Sequence, residues 1–571
     1  LCCLVVCSAM VQAATAASGQ ESAPSATIAR VRLMPALPDP LVVRDWHRIA
    51  REYYEQLLNP ATRLDGNPLV RVQSEPPGFE IPAYVGAPYQ KEALTCLSAI
   101  NGAKLVGLDP RHLHGFDYVQ AAKGWFDPKY GVFRHHPTER GNPVYHADIY
   151  GYWAGIQGLI LAAQFPDDRD LEAQARSETS AFLRIAHIMG CPEDPNFDVL
   201  GVDFAKGAPG GRPEPMNRFG HAPSVAWPLL VGHRLTGDRE MLACARSAIR
   251  WHVDHPGRYE ISHVMGPLTT ARLNAEYDSH FDLGRVLDIW YGTGQPGRTP
   301  WLITAGTRLG GMTCDGLDAA DLPGSERGFY AFTMGTLQAP AWLVPVARYA
   351  PRYARDIGRY ALHAASSTRL LQGYGLDWDH QDHKDWKDRW DPHGLLFYEG
   401  LMSWDFGDRR IFRPYATGDP VRAGWNGPKV EARDYDAEKR RTFSNESRNV
   451  ALYMGDHVGF LGGIVDETDV PGILRWDCLA TDWYHAPAYP TWLFHNPHPE
   501  VKTIHVDFGP GSVDLYDAVT HAVVVKRASG PTPIVLNAGA SAVLVAIPAG
   551  AEVVRQGSRA VANGIVVDFS M

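Results

Sequence analysis

Apolar residues recur at helical spacing along most of the chain from about position 45 to about 371. The pattern predicts helices over 43–58, 92–106, 149–165, 171–189, 224–235, 240–252, 283–291, 329–349 and 353–371. Two neighbouring pairs are joined by very short turns, Pro166-Asp167-Asp168 and Thr236-Gly237-Asp238. Between pairs the chain runs through long Gly/Pro-rich segments such as 207–215 and 292–300. A ring of helix hairpins has this alternation, with short turns at one end and long loops at the other. The expected fold for this part is therefore a helical (α/α) toroid. An α-solenoid is the competing fold, but no repeat of fixed period is visible.

Beyond about position 410 the pattern changes. Segments 501–508, 522–527 and 542–547 are short, β-branched and bounded by Gly, Pro and Asn, which predicts antiparallel strands of a β-sandwich. The chain is thus expected to be multidomain α+β. A toroid spans 30–410, and a mixed region with a C-terminal β-sandwich spans 411–571. A boundary near 495–500 is the second choice.

Residues 1–21 read as a signal peptide and leader. The apolar run 1–13 ends in Val11-Gln12-Ala13, with small residues at the two positions a signal peptidase inspects, and it is too short to span a bilayer. A secreted or periplasmic protein is expected, and no later stretch reads as a membrane span.

With 571 residues the chain exceeds what one core organises, which agrees with two domains. Its net charge of −10 argues against a nucleic-acid partner, which needs a basic footprint. The ring content, 16 Trp, 24 Tyr and 20 Phe, suits stacking on the flat C–H faces of sugars. Roughly two-thirds of these rings are expected in the core. Outside the leader, Cys96, Cys191, Cys244, Cys314 and Cys478 are scattered and form no C-x-x-C pair. That pattern fits small buried residues better than a disulfide framework or a zinc ribbon.

Four polar segments are expected at helix starts. In Pro213–Pro223, the residues Asn217, Arg218 and His221 precede a helix whose N-terminal N–H groups favour anions, so they form a candidate carboxylate clamp. The competing reading is that Asn217 and Arg218 only fix a Gly/Pro-rich loop. In Asn274–Asp282, Glu276, Tyr277 and His280 share a face if the segment opens a helix. Arg327 and Tyr330 lie in Glu326–Tyr330. Tyr145, His146, Tyr150 and Trp153 lie in Tyr145–Trp153. If the toroid closes, the four segments meet at one cleft.

A fifth segment, Asp377–His393, mixes carboxylates, imidazoles and tryptophans. Asp377, Asp379, His380, Asp382 and His383 are a candidate divalent-metal site, although the segment lacks the glycine of an EF-hand and contains no H-E-x-x-H. Alternatively its carboxylates pair with Lys384, Lys387 and Arg389, while Trp378 and Trp386 cover a sugar. No nucleophile elbow, P-loop or dinucleotide fingerprint is present.

A leader, a helical toroid and a sandwich tail resemble the architecture of toroid polysaccharide lyases and toroid glycoside hydrolases. The run Tyr489-Pro490-Thr491-Trp492-Leu493-Phe494-His495-Asn496-Pro497, leading to Asp514-Leu515-Tyr516-Asp517, is similar to the β-sandwich appended to many of them. The resemblance implies an enzyme acting on a polysaccharide or oligosaccharide, with Asn, His or Arg neutralising a uronate carboxylate and Tyr or His moving protons. On that reading Asn217, Arg218 and His221 hold the carboxylate, and Tyr330 and His280 transfer protons. Tyr145, His146, Tyr150, Trp153, Glu276, Tyr277, Arg327, Trp378 and Trp386 bind the glycan. The physical logic is that donors around the carboxylate stabilise the enolate-like dianion formed when the neighbouring carbon loses its proton. A toroid hydrolase is the alternative, drawing a carboxyl pair from Glu214, Glu276, Asp278, Glu326 and Asp148. A non-catalytic glycan-binding protein is the third reading.

Overall fold

The computed structural model describes residues 26–87, 92–136, 144–145, 150–199, 201–204, 206–210, 220–292, 301–321, 329–377, 380–406, 409–417 and 450–570. The leader lies outside them. The described chain is mixed α+β, with helices, several antiparallel sheets and a C-terminal β-sheet region.

The helices are of two kinds. The first kind is buried nearly all round: α2 (Ala93–Leu105), α3 (Tyr150–Gln164), α5 (Ala222–Thr236), α7 (Gly266–Tyr277) and α9 (Thr333–Leu343). The second kind is amphipathic, with one buried face: α1 (Trp46–Leu57), α4 (Arg169–Ile188), α6 (Arg239–Asp254), α8 (Leu283–Tyr291) and α10 (Ala354–Ser367). Apolar content on all sides requires neighbours on all sides, so the first set must lie inside the second. The amphipathic helices also carry the start signals. Asp45, Asp168, Asp238 and Asp282 each accept a hydrogen bond from a first-turn backbone N–H, at 2.8–3.1 Å.

Packing follows the same order. Helix α2 lies on α3, α3 on α5, α5 on α7 and α7 on α9. The short helices α11 (Lys384–Trp390) and α12 (Val458–Gly462) come later in the chain, and α12 packs against both α9 and α2. Its contact with α2 is backbone to backbone: a Cβ on Gly459 would sit 2.3 Å from the Gly102 carbonyl oxygen. Among the inner helices, Trp153 and Trp227 meet Trp342 edge-on at 6.3 and 5.2 Å, and Trp483 completes the cluster. Trp153 is therefore a core residue with no face open to a sugar.

Several predicted elements need correction. The 329–349 helix begins as a strand. Phe329–Phe332 is β3 of a meander formed by β1 (Leu302–Ile303), β2 (Asp318–Asp321), β3, β4 (Gly400–Phe406) and β5 (Arg409–Thr417). The helix starts only at Thr333. Position 410 falls within the β4–β5 hairpin. The 274–282 segment ends a helix instead of opening one, because α7 runs from Gly266 to Tyr277.

The C-terminal region has a six-stranded antiparallel sheet in the order β6 (Val465–Glu467), β7 (Leu474–Asp477), β8 (Thr491–His495), β13 (Ser541–Pro548), β10 (Val513–Asp517) and β11 (Ala522–Ala528). The ribbon β9 (Lys502–Val506) with β12 (Thr532–Leu536) packs over one face, and a three-stranded sheet, β14 (Val553–Gln556), β15 (Arg559–Ala562) and β16 (Ile565–Asp568), ends the chain. Side-chain alternation separates the two faces. Phe494, Leu515, Ala542, Leu544 and Ala546 share a core with Ile504, Val506, Ile534 and Leu536 of the ribbon. Leu493, Tyr516, Val543, Val545 and Ile547 face the other way and join the core of the helices, where α10 lies on β8 and β13.

A buried ion network also joins the two regions. Arg272 on α7 donates to the carbonyls of Trp483 and Tyr484 at 3.0 and 2.8 Å. Asp482 accepts from Arg348 at 3.1 Å and from the Tyr349 hydroxyl at 2.7 Å. The five cysteines among the described residues are buried free thiols.

Candidate active site

Glu399 gathers three phenols from three distant parts of the chain. Its Oε1 accepts from the Tyr330 hydroxyl at 2.9 Å, and its Oε2 accepts from Tyr84 and Tyr453. The local fold explains the convergence. Glu399 immediately precedes β4, and its carbonyl accepts from the N–H of Thr333 at the start of α9, 2.9 Å away. Tyr330 on β3 pairs with Met402 on β4. Tyr84 and Tyr453 are held together by a bridge between Tyr84 and Ala451, and their rings meet at 5.6 Å. Gly400 is required beside them, since a Cβ there would lie 2.4 Å from the Tyr330 ring. Glu399 and Tyr84 are buried, while Tyr330 and Tyr453 are half-buried and within reach of solvent.

A second phenol–carboxylate pair lies between α3 and the loop after α6. The Tyr150 hydroxyl donates to Glu260 at 2.5 Å. Glu260 has φ of +44°, a left-handed conformation that costs a residue with a Cβ on the order of 1 kcal/mol. The ring sequence Tyr259, Trp301, Phe332, Tyr330, with centroids 5.9, 5.2 and 6.4 Å apart, connects this loop to the Glu399 cluster.

Next to Tyr150 the ring of His135 stacks at 5.7 Å, and His136 adjoins it at 4.2 Å. Ring nitrogens of both histidines and a carboxylate oxygen of Glu92 lie within 4.8 Å of one another. The His135 carbonyl accepts from the N–H of Ala93 at 3.0 Å, which ties this loop to the start of α2.

Burial sets the protonation states nearby. It holds His135 well below the ordinary imidazole range, helped by His136, and it does the same to His263, helped by Arg258 and His252. Burial raises Asp318 well above the carboxylate range, and Glu260 adds to the effect. Asp456 is raised in the same way by burial and by Glu92. Arg258 is lowered by burial to about 10 and stays charged at neutral pH. Neutral imidazoles, protonated buried acids and phenols on carboxylates are groups that pass protons.

The predicted residues divide into three groups. Tyr330 and Tyr150 stand in the clusters just described. His221 precedes α5, fully buried between Tyr152 and Phe197, and burial lowers it to about 4. Glu276, Tyr277 and His280 are elsewhere. Tyr277 packs on His233 near the C-terminal end of α5, whereas His221 is at its N-terminal end, about 20 Å away along a helix of this length. Glu276 faces Arg272 at 3.6 Å, and Asp278 and His280 are exposed. The four segments therefore do not all meet at one cleft. Asn217, Arg218, His146, Arg327, Trp378, Glu214, Glu326, Asp148 and Asp379 lie outside the described residues, and Tyr145 is described only as backbone, in a strand paired with Gly201–Asp203.

The fifth segment is held by its own pairings. Asp382 accepts from Tyr415 and Thr417 at 2.6 and 2.5 Å, His380 pairs with Asp377, and Lys384 pairs with Asp388. Buried Lys387 reaches Asp391 and two backbone carbonyls, and the Trp386 indole donates to Asp65 at 3.0 Å. Among the described residues Asp377, His380, Asp382 and His383 form no ligand group, and Trp386 is not displayed to a sugar.

Beyond the adjacent His135-His136 pair, nothing in the sequence marks Glu399, Tyr84, Glu92, His135 or Glu260, and Tyr453 stands out only as the start of the polar run Tyr453–His457, to which the sequence assigns no role. Compared with known proteins, the chain matches no family model and no curated protein. No helix among the described residues is long and apolar enough to cross a membrane.

Proposed function

We propose that this chain is an exported carbohydrate-active enzyme, a helical toroid with a C-terminal β-sandwich, that cleaves a uronate-containing glycan by β-elimination. The unbroken sequence of contacts from α2 through α3, α5, α7, α9 and α12 back to α2 supports the toroid. The sheet and ribbon sharing one core support the sandwich.

The observation that carries the reaction is the 2.9 Å bond from the half-buried Tyr330 hydroxyl to Glu399. A phenol on a carboxylate can give up its proton and take another from carbon. Glu399 draws the phenolic proton, the Tyr330 oxygen removes the proton next to the substrate carboxylate, and a second phenol, Tyr150 on Glu260, protonates the departing glycosidic oxygen. The dianion formed in between requires positive charge or N–H donors, a role for Arg258 and, from the sequence reading, for Asn217 and Arg218. His280, exposed beyond the end of α7, has no part in this scheme.

Hydrolysis would need two opposed free carboxyls. Of its candidates among the described residues, Glu276 faces Arg272 and Asp278 is largely exposed, and Glu214, Glu326 and Asp148 lie outside them; the phenol–carboxylate pairs are what favour elimination. Incubation with uronate polymers tests the reading. New ultraviolet absorbance from a conjugated enoate supports elimination. Saturated reducing sugars would replace it with hydrolysis, and tight oligosaccharide binding without turnover would replace it with a glycan-binding role.

A further inference from the structure

We propose that Glu92, His135 and His136 hold a divalent first-row metal ion of the zinc type at the start of α2. Three protein ligands, two imidazole nitrogens and one carboxylate oxygen, are the donor set of open metal sites that leave a coordination position for another ligand. Adjacent residues of an extended strand point to opposite faces. His135 and His136 instead stand at a bend, with ring centroids 4.2 Å apart. The Glu92 side chain makes no capping bond to α2, although Glu92 is the N-cap residue.

Distances are compatible with a small closure. Ligand atoms on a tetrahedral zinc at 2.0–2.1 Å are about 3.4 Å apart, and here they lie within 4.8 Å. Side-chain rotations on the order of an ångström close that gap.

The proposal is independent of the reaction above, since binding is read without turnover. The untagged full chain, stripped with chelator, is titrated with zinc, and the bound metal is counted by elemental analysis. One zinc per chain is expected. Glu92→Gln, almost the same shape, and His136→Ala should each weaken binding at least tenfold with an unchanged circular-dichroism spectrum. Cobalt in place of zinc should give visible bands of a four- or five-coordinate nitrogen–oxygen site, and these bands should be lost in the variants. Absence of bound zinc and of cobalt bands in the parent chain would overturn the proposal, as would equal stoichiometry and affinity in Glu92→Gln. If His136→Ala does not fold, the Glu92→Gln comparison and the parent cobalt spectrum decide.

Discussion

The Tyr330 hydroxyl, on β3, rests 2.9 Å from Glu399, the residue just before the adjacent strand β4. Removing the hydroxyl leaves the ring in place and deletes the proton carrier. Tyr330→Phe should lower the rate of enoate formation by about 10²–10⁴-fold, while the loss of one hydrogen bond should cost about 1 kcal/mol of stability. Parallel measurement of turnover and urea unfolding separates the two effects. A variant with undiminished turnover would remove Tyr330 from the mechanism.

Gly400→Ala tests the same geometry without removing the Tyr330 hydroxyl. The added methyl would lie 2.4 Å from the Tyr330 ring and 2.5 Å from the Ala331 carbonyl oxygen, so the ring must leave Glu399. Activity should fall at least about tenfold with a destabilisation of about 1–3 kcal/mol. Turnover equal to the parent would mean that the Tyr330–Glu399 alignment is not needed.

The His221 imidazole gives a pH-dependent contribution of known sign. In the folded chain burial lowers it from 6.5 to about 4. Between these values the unfolded chain binds a proton that the folded chain does not. The contribution is whole above pH 6.5, shrinks as pH falls, and is gone below about pH 4, with a span on the order of 3 kcal/mol. His221→Gln should therefore lose less stability than the parent between pH 7.5 and pH 5. Parallel stability–pH curves would show that His221 is not buried in solution.

Asp482 is completely buried and faces Arg272, Arg348 and Tyr349. Asp482→Ala would leave Arg348 without its carboxylate and Arg272 with Glu276 alone, at a cost of about 3–5 kcal/mol that added salt should not change. A melting temperature within a degree of the parent would contradict this arrangement.

Burial raises the Cys96 and Cys478 thiols well above their ordinary range, Cys191 to about 11, and Cys244 and Cys314 to about 12. None of the five should react with a thiol reagent in the native state, and all should react in denaturant. Rapid native labelling of any one would show that its covering element opens.

Much of the helical part was legible because its signals are local. Asp168 and Asp238 cap helices straight after two-residue turns, and the periodic faces of α4 and α6 follow at once. The start of α7 was not legible. Thr269, Thr270 and Arg272 are buried there, so polarity does not mark a wet face, and the polar run 274–282, which has the look of a helix start, is a helix end. Phe329–Phe332 shows the usual ambiguity of a short apolar run, which becomes a strand here by pairing with residues about seventy positions away. The Glu399 cluster was hidden for the same reason. Its partners stand at 84, 330 and 453, and nothing near Glu399 announces three phenols.

The six-stranded sheet of the C-terminal region has no idle face: one side meets the ribbon, and the other lies on α10 within the interior of the helices. A module on a tether can be exchanged between proteins without the rest noticing. This one cannot, because its strands finish the wall of its neighbour. Any recombination that replaced residues 465–570 would have to bring along a surface already shaped to 354–367.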